Sequence, residues 1–154
     1  MNHEPMMKID LSRRAPRSPR VRLGGFAHLP RLLDKARAQV AGTAGNYVYG
    51  DESLLDAEFF AFTGITADAF LERVAEGGGD LTLLQWVCDQ ASRPLHASEI
   101  ETWSRWIETV PGLSPEARAW FAEYSSSLTP ARPDVGTLFE YLDLDDYLAF
   151  GGRA

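Results

Sequence analysis

One cysteine, Cys88, is all the chain contains, which excludes an intramolecular disulfide framework and points to a reducing compartment, the cytoplasm. Its place after Leu81 and Leu84 on a helical period predicts an inert core thiol rather than a nucleophile. No stretch approaches the roughly 18 consecutive apolar residues of a membrane span. Ser12-Arg13-Arg14 has the look of a twin-arginine export signal, but Arg17, Arg20, Arg22 and Arg31 interrupt every candidate apolar region behind it. No membrane partner is expected.

Metal and nucleotide motifs are missing as well. His3, His28 and His96 have no metal-helix spacing, and one cysteine cannot complete a zinc set. Gly42-Thr43-Ala44-Gly45 lacks the lysine of a phosphate-binding loop, and no G-x-G-x-x-G exists for a dinucleotide. A calcium loop opening at Asp143 would put Leu148 at the turn glycine and Ala154 at the bidentate glutamate, so Asp143, Asp145 and Asp146 read as the acidic start of a helix. No metal and no cofactor is expected.

What is present suits one globular domain: 154 residues, 45% of them hydrophobic, with 4 Trp, 5 Tyr and 8 Phe. The net charge of -7 conceals an asymmetry, since residues 1–38 carry +6 and residues 39–154 carry -13. Arg13, Arg14, Arg17, Arg20 and Arg22 share a short span with Pro16 and Pro19, which breaks any continuous basic helix. Residues 1–22 therefore read as a basic extended arm packed on the acidic body, and residues 23–154 as a single helical domain. An acidic body argues against a specific nucleic-acid partner.

Helix signals recur at close spacing and strand alternation is almost absent, so the fold class is all-α, with about seven short helices. Pro30 opens a helix whose apolar stripe is Leu29, Leu32, Leu33, Ala36 and Val40, and Gly42 ends it. Further helices run from Ser53 to Gly64, from the cap Thr66 to Gly77, and from the cap Asp80 over Leu81 to Ala91. Ser98 with Glu101 forms a capping box ahead of a helix that Pro111-Gly112 breaks. Ser114-Pro115 opens the next, and Thr137 with Glu140 caps the last. Residues 42 to 51, with Tyr47, Val48 and Tyr49 between Gly45 and Gly50, read as a glycine-rich structured loop, since a lone strand has no partner. All four tryptophans, Trp86, Trp103, Trp106 and Trp120, fall mainly on apolar stripes, which predicts core packing.

The candidate site is the polar face of the first helix. Arg31, Asp34, Lys35 and Ala38 lie opposite the leucine stripe, and Arg31 can pair with Asp34 at i, i+3. On an ordinary surface helix this face is simply solvated. The functional alternative is that the loop after Gly42 folds back and brings Tyr47 or Tyr49 to Arg31 and Lys35, making a site for a small anionic ligand.

The blocks Pro16 to Gly25, with R-S-P-R followed by L-G-G, and Leu29 to Ala38, with L-P-R-x-x-D-K-x-R-A, resemble a bacterial family of domains of unknown function, DUF5069. The likeness continues through Ala41-Gly42-Thr43, Leu55-Asp56, Phe62 to Ile65, Ala97 to Trp103, and Leu138 to Asp146. The resemblance implies a compact single domain and carries no activity, cofactor or catalytic residue with it. Relatives often place Cys where this chain has Ala36, and a Cys-Pro-Leu-Asp string where it reads Ser53-Leu54-Leu55-Asp56, so thiol chemistry there is closed to this protein.

Two function classes follow. The first is a helical domain, with or without catalytic activity, that binds an anionic small molecule through Arg31, Asp34, Lys35, Tyr47 and Tyr49. The second is a non-catalytic protein-protein interaction or regulatory module that docks through the basic arm or the acidic C-terminal stretch.

Overall fold

Helix α1, Leu29–Ala41, is the axis around which the rest is wound, and every residue from Leu29 to Ala38 is buried. The computed structural model describes residues 4–110, 114–128 and 130–152. Among these, α1 is followed by α2 (Leu54–Thr63), α3 (Ala67–Ala75), α4 (Asp80–Gln90), α5 (Ala97–Thr109), α6 (Pro115–Ser127) and α7 (Leu138–Ala149). An all-α fold is what the sequence predicts, and none of the described helices is long and apolar enough to cross a membrane.

Ahead of α1 lies a two-residue antiparallel pair, β1 (Arg22–Leu23) and β2 (Phe26–Ala27), with Arg22 opposite Ala27 and Leu23 opposite Phe26. So short a hairpin gives no period-2 signal, and it goes unseen in the sequence. Gly24 and Gly25 make its turn with φ of 58° and 84°, conformations that favour glycine. Buried Ser104 of α5 fixes the hairpin by accepting the Ala27 N–H at 2.9 Å and donating to the Gly25 carbonyl at 2.7 Å.

The core is aromatic. Phe59 meets Phe26, Phe60, Phe70 and Trp103 edge to face, with centroids 5.6 to 6.2 Å apart. Trp103 is buried, but Trp106 and Trp120 are 44% and 50% exposed, so two of the four tryptophans lie outside the core assigned to them. Cys88 is also exposed, because α4 buries Leu83 and Val87 and turns Leu81 and Cys88 outward. The expectation of a core thiol is corrected: Leu84 packs against the core, but Leu81 and Cys88 lie outside it.

Helix caps agree in part. Thr66, Ser114 and Thr137 accept from the N–H groups of Ala69, Ala117 and Glu140 as the sequence predicts. Asp80 is the first residue of α4 rather than its cap, which is Gly79. For α5 the pair is His96 and Glu99, whose carboxylate accepts the His96 N–H at 3.4 Å, and Ser98 lies inside the helix. The expected break at Pro111-Gly112 and His3 fall outside the described residues.

The basic segment lies against the body. Arg17 bonds Asp34 and Asp80, Arg20 bonds Asp143, and Arg22 pairs with Glu101 and Glu108. Leu11 donates its N–H to the Thr43 carbonyl at 2.9 Å, and the Thr43 hydroxyl donates to the Ile9 carbonyl at 2.6 Å, joining this segment to the loop after α1. Coverage by that segment, the loop and α7 is why the polar face of α1 is buried despite its charges.

Candidate functional site

Arg31, Lys35 and His28 come from one stretch of helix and its N-cap, and each is answered by a carboxylate from elsewhere in the chain. Arg31 donates from Nη1 to Asp146 Oδ2 at 2.7 Å and from Nη2 to Asp146 Oδ1 at 3.3 Å, while Nη1 also reaches the Arg17 carbonyl at 3.3 Å. Tyr47 donates its hydroxyl to Asp146 Oδ1 at 2.8 Å, and its ring centroid lies 5.5 Å from Arg31 Cζ, within cation–π range. Burial and the Asp146 carboxylate hold the Tyr47 hydroxyl in its protonated form to unusually high pH.

One turn further along α1, Lys35 Nζ donates to the Val48 carbonyl at 2.9 Å and to Ser53 Oγ at 3.2 Å, and lies 2.7 Å from Asp56 Oδ1. The same carboxylate oxygen meets His28 Nε2 at 2.7 Å, and Oδ2 accepts the Gly50 N–H at 3.0 Å. Asp56 is fully buried, His28 is 1% exposed and Lys35 is 5% exposed. A charge so placed persists only when paired and hydrogen-bonded.

Burial depresses the Lys35 and His28 pKa values, and the attraction of Asp56 only partly offsets it. Burial likewise opposes ionisation of Asp56, but the His28 hydrogen bond and the Lys35 charge outweigh it and hold the carboxyl below the usual range. The cluster is thus an ion pair with a neutral imidazole. Nε2–H of His28 points at Asp56, leaving Nδ1 buried without a partner among the described residues. His28 also adopts φ 69°, the one positive value among the described non-glycine residues.

The Ser53 hydroxyl is turned toward Lys35. Although Ser53 is the N-cap of α2, its side chain accepts no cap hydrogen bond.

His28, Arg31, Lys35, Tyr47 and Ser53 line a cavity of about 680 Å³ bounded by α1, the 42–53 loop, the start of α2, α6 and α7, with Asp56 and Asp146 behind its wall. Leu54, Leu55, Leu138 and Leu142 make much of its wall apolar, which is the common character of a small-molecule site. On the Arg31 guanidinium the Nη1/Nη2 end is taken by Asp146. Its other fork, Nε–H with the second Nη2 hydrogen, meets no acceptor among the described residues.

The structure brings Arg31, Lys35 and Tyr47 together at the cavity. Asp34 and Tyr49 stand apart from it. Asp34 does not orient Arg31; it accepts the Arg17 N–H at 2.9 Å and the Arg17 Nη2 at 3.0 Å. Tyr49 donates to the Ala67 carbonyl at 2.6 Å and packs on Phe60 and Phe70. Asp56, His28 and Ser53 go unassigned in the sequence reading, and the reading of Asp143, Asp145 and Asp146 as the acidic start of a helix is corrected: α7 begins at Leu138, so the three lie at or past its middle, where Asp146 is buried against Arg31. The signal for the acids is their setting: Asp56 sits in the apolar run of α2, where an unpaired acid has no reason to be.

The chain belongs to the family DUF5069, a domain of unknown function, whose profile matches residues 13–148. No curated protein matches it.

Proposed function

We propose that this is a small-molecule-binding domain whose ligand presents an acidic group, carboxylate or phosphate, to Arg31 and Lys35, with its apolar part against the leucines of the cavity. The observation that carries the reading is the open fork of Arg31. A guanidinium buried in a cavity wall, oriented by Asp146 and Tyr47, is prepared to take a planar oxyanion through two parallel N–H bonds at little further cost in ordering. Lys35 adds a second positive charge from the same helix face. We take the setting to be the bacterial cytoplasm, in keeping with the single cysteine. The ion pairs of Arg17, Arg20 and Arg22 with acids of their own chain favour a small ligand over a nucleic acid.

The test is a thermal-shift and calorimetric screen of the full chain against small carboxylates and phosphates. A binder at 100 times its dissociation constant adds about 2.7 kcal/mol of stability. Arg31→Lys keeps the charge but loses the fork, and should weaken such a binder by roughly 1.5–3 kcal/mol. No response from any acid, or equal binding by Arg31→Lys, would refute the reading.

A further inference from the structure

The charge inside the cavity does not balance for a ligand that is only an anion. Arg31 is matched by Asp146 and Lys35 by Asp56, yet a further carboxylate, Asp145, also lines the cavity. Asp145 accepts the Tyr124 hydroxyl at 2.9 Å, and no ion pair involves it among the described residues.

Its position on α7 is as unusual as its charge. Leu138, Tyr141, Leu142, Asp145 and Ala149 recur at three and four residue steps and all face the cavity, so one acid interrupts an otherwise apolar stripe. Tyr141, one turn before it, meets Trp120 edge to face at 5.2 Å and Tyr124 at 4.7 Å, and Trp120 lines the cavity while half exposed. Aromatic faces grouped around a carboxylate without a cation are the surroundings that attract an ammonium group, above all an alkylated one, whose hydration is weak and whose charge is spread over its methyl groups.

We infer that the ligand is a zwitterion, whose ammonium group is received by Asp145, Trp120 and Tyr141 while its acidic group takes the Arg31 fork. The inference rests on the cavity's reading as an acid-binding site and adds the second half of the ligand. Asp145 supplies the charge, Tyr124 holds one of its oxygens, and the indole and phenol rings supply π faces. A pure anion gains at Arg31 and is repelled by Asp145; a zwitterion gains at both.

Three probes separate the halves: propionate carries only the acid, choline only the ammonium, and ω-trimethylammonio carboxylates, from glycine betaine upward in chain length, carry both. Binding to the full chain is read by calorimetry and by tryptophan fluorescence. At least one trimethylammonio carboxylate should bind roughly tenfold or more tightly than propionate. Asp145→Asn, close in shape to the parent, should erase that advantage and leave propionate binding unchanged or stronger. Propionate equal to every trimethylammonio carboxylate, or an advantage that survives in Asp145→Asn, would overturn the inference while leaving the acid site standing. Choline binding that depends on Asp145, with no response to propionate and no gain from an added carboxylate, would overturn the acid site and with it the zwitterion.

Discussion

Lys35 Nζ lies 2.7 Å from Asp56 Oδ1, with Asp56 fully buried and Lys35 5% exposed. Removing one partner of such a pair leaves the other charged and buried. Asp56→Asn should therefore cost about 3–5 kcal/mol in urea denaturation. The double variant Asp56→Asn, Lys35→Met should recover a large part of that loss. Ser53→Ala, which takes only one hydroxyl from Lys35, should cost about 1 kcal/mol. A cost for Asp56→Asn as small as that of Ser53→Ala would show that the pair is not held as an ion pair.

Acid should weaken the fold in two stages. Burial keeps His28 neutral below its ordinary pKa of 6.5, so under that pH the unfolded chain binds a proton that the folded chain refuses. Stability should decline from about pH 6.5 downward by up to about 1.4 kcal/mol per pH unit until His28 itself protonates. Asp56, held below its ordinary 3.8, keeps its contribution above that pH and loses it as pH falls further. His28→Asn, whose side chain tolerates the left-handed backbone, should remove the first stage and retain the second. Stability curves that coincide for the parent and His28→Asn between pH 7 and 5 would contradict this.

The helices are legible because their signals are local: Thr66, Ser114 and Thr137 as caps, Gly42 and Gly64 as stops, and a 3.6-residue apolar period between. The partners of the charged face are not, because they lie far away in sequence. Arg31 meets Asp146 and Lys35 meets Asp56, while the local candidate Asp34 is taken by Arg17. Periodicity marks which residues share a face but not whether another segment covers it, so the buried face of α1 and the exposed Cys88 both escape it. Asp56 within the apolar run of α2 is a trace of the buried cluster that one sequence does carry, whereas Asp145 is hidden beside Asp143 and Asp146.

Cys88 gives a direct check on the orientation of α4. An exposed thiol should be labelled fully by a disulfide reagent in the native state, without denaturant. Partial burial and the neighbouring Asp89 raise its pKa, so labelling should run more slowly than for a free thiol at the same pH. A thiol that reacts only on unfolding would mean that α4 is turned the other way.

Gly45 joins the loop over the cavity to the N-terminal segment. It adopts φ 58°, and a Cβ there would lie 2.9 Å from the Leu11 carbonyl oxygen, a rigid backbone atom. Gly42 has φ 73° but nothing within 4 Å of a Cβ. Gly42→Ala should cost about 1–2 kcal/mol from the left-handed backbone alone. Gly45→Ala should cost more, and because Gly45 and Tyr47 both line the cavity, it should also weaken acid binding. Equal effects of the two substitutions on denaturation would show that the loop and the turn at Leu11 separate freely.

On the proposed function the pair of Arg31 and Asp146 serves structure and ligand together, and a double-mutant cycle divides the two. Arg31→Met leaves Asp146 with the Tyr47 hydroxyl as its other bond, and Asp146→Leu leaves a guanidinium with only the Arg17 carbonyl. Each single change should cost about 3–5 kcal/mol of stability, Asp146→Leu the more because a buried cation cannot shed its charge. The double variant should be less destabilised than the sum by a few kcal/mol, since no charge is stranded. Ligand binding should behave differently: it should be lost wherever Arg31 is replaced by Met, including in the double variant that folds well. A double variant that regains both stability and acid binding would assign the anion to Lys35 alone and leave Arg31 as a structural member of the pair.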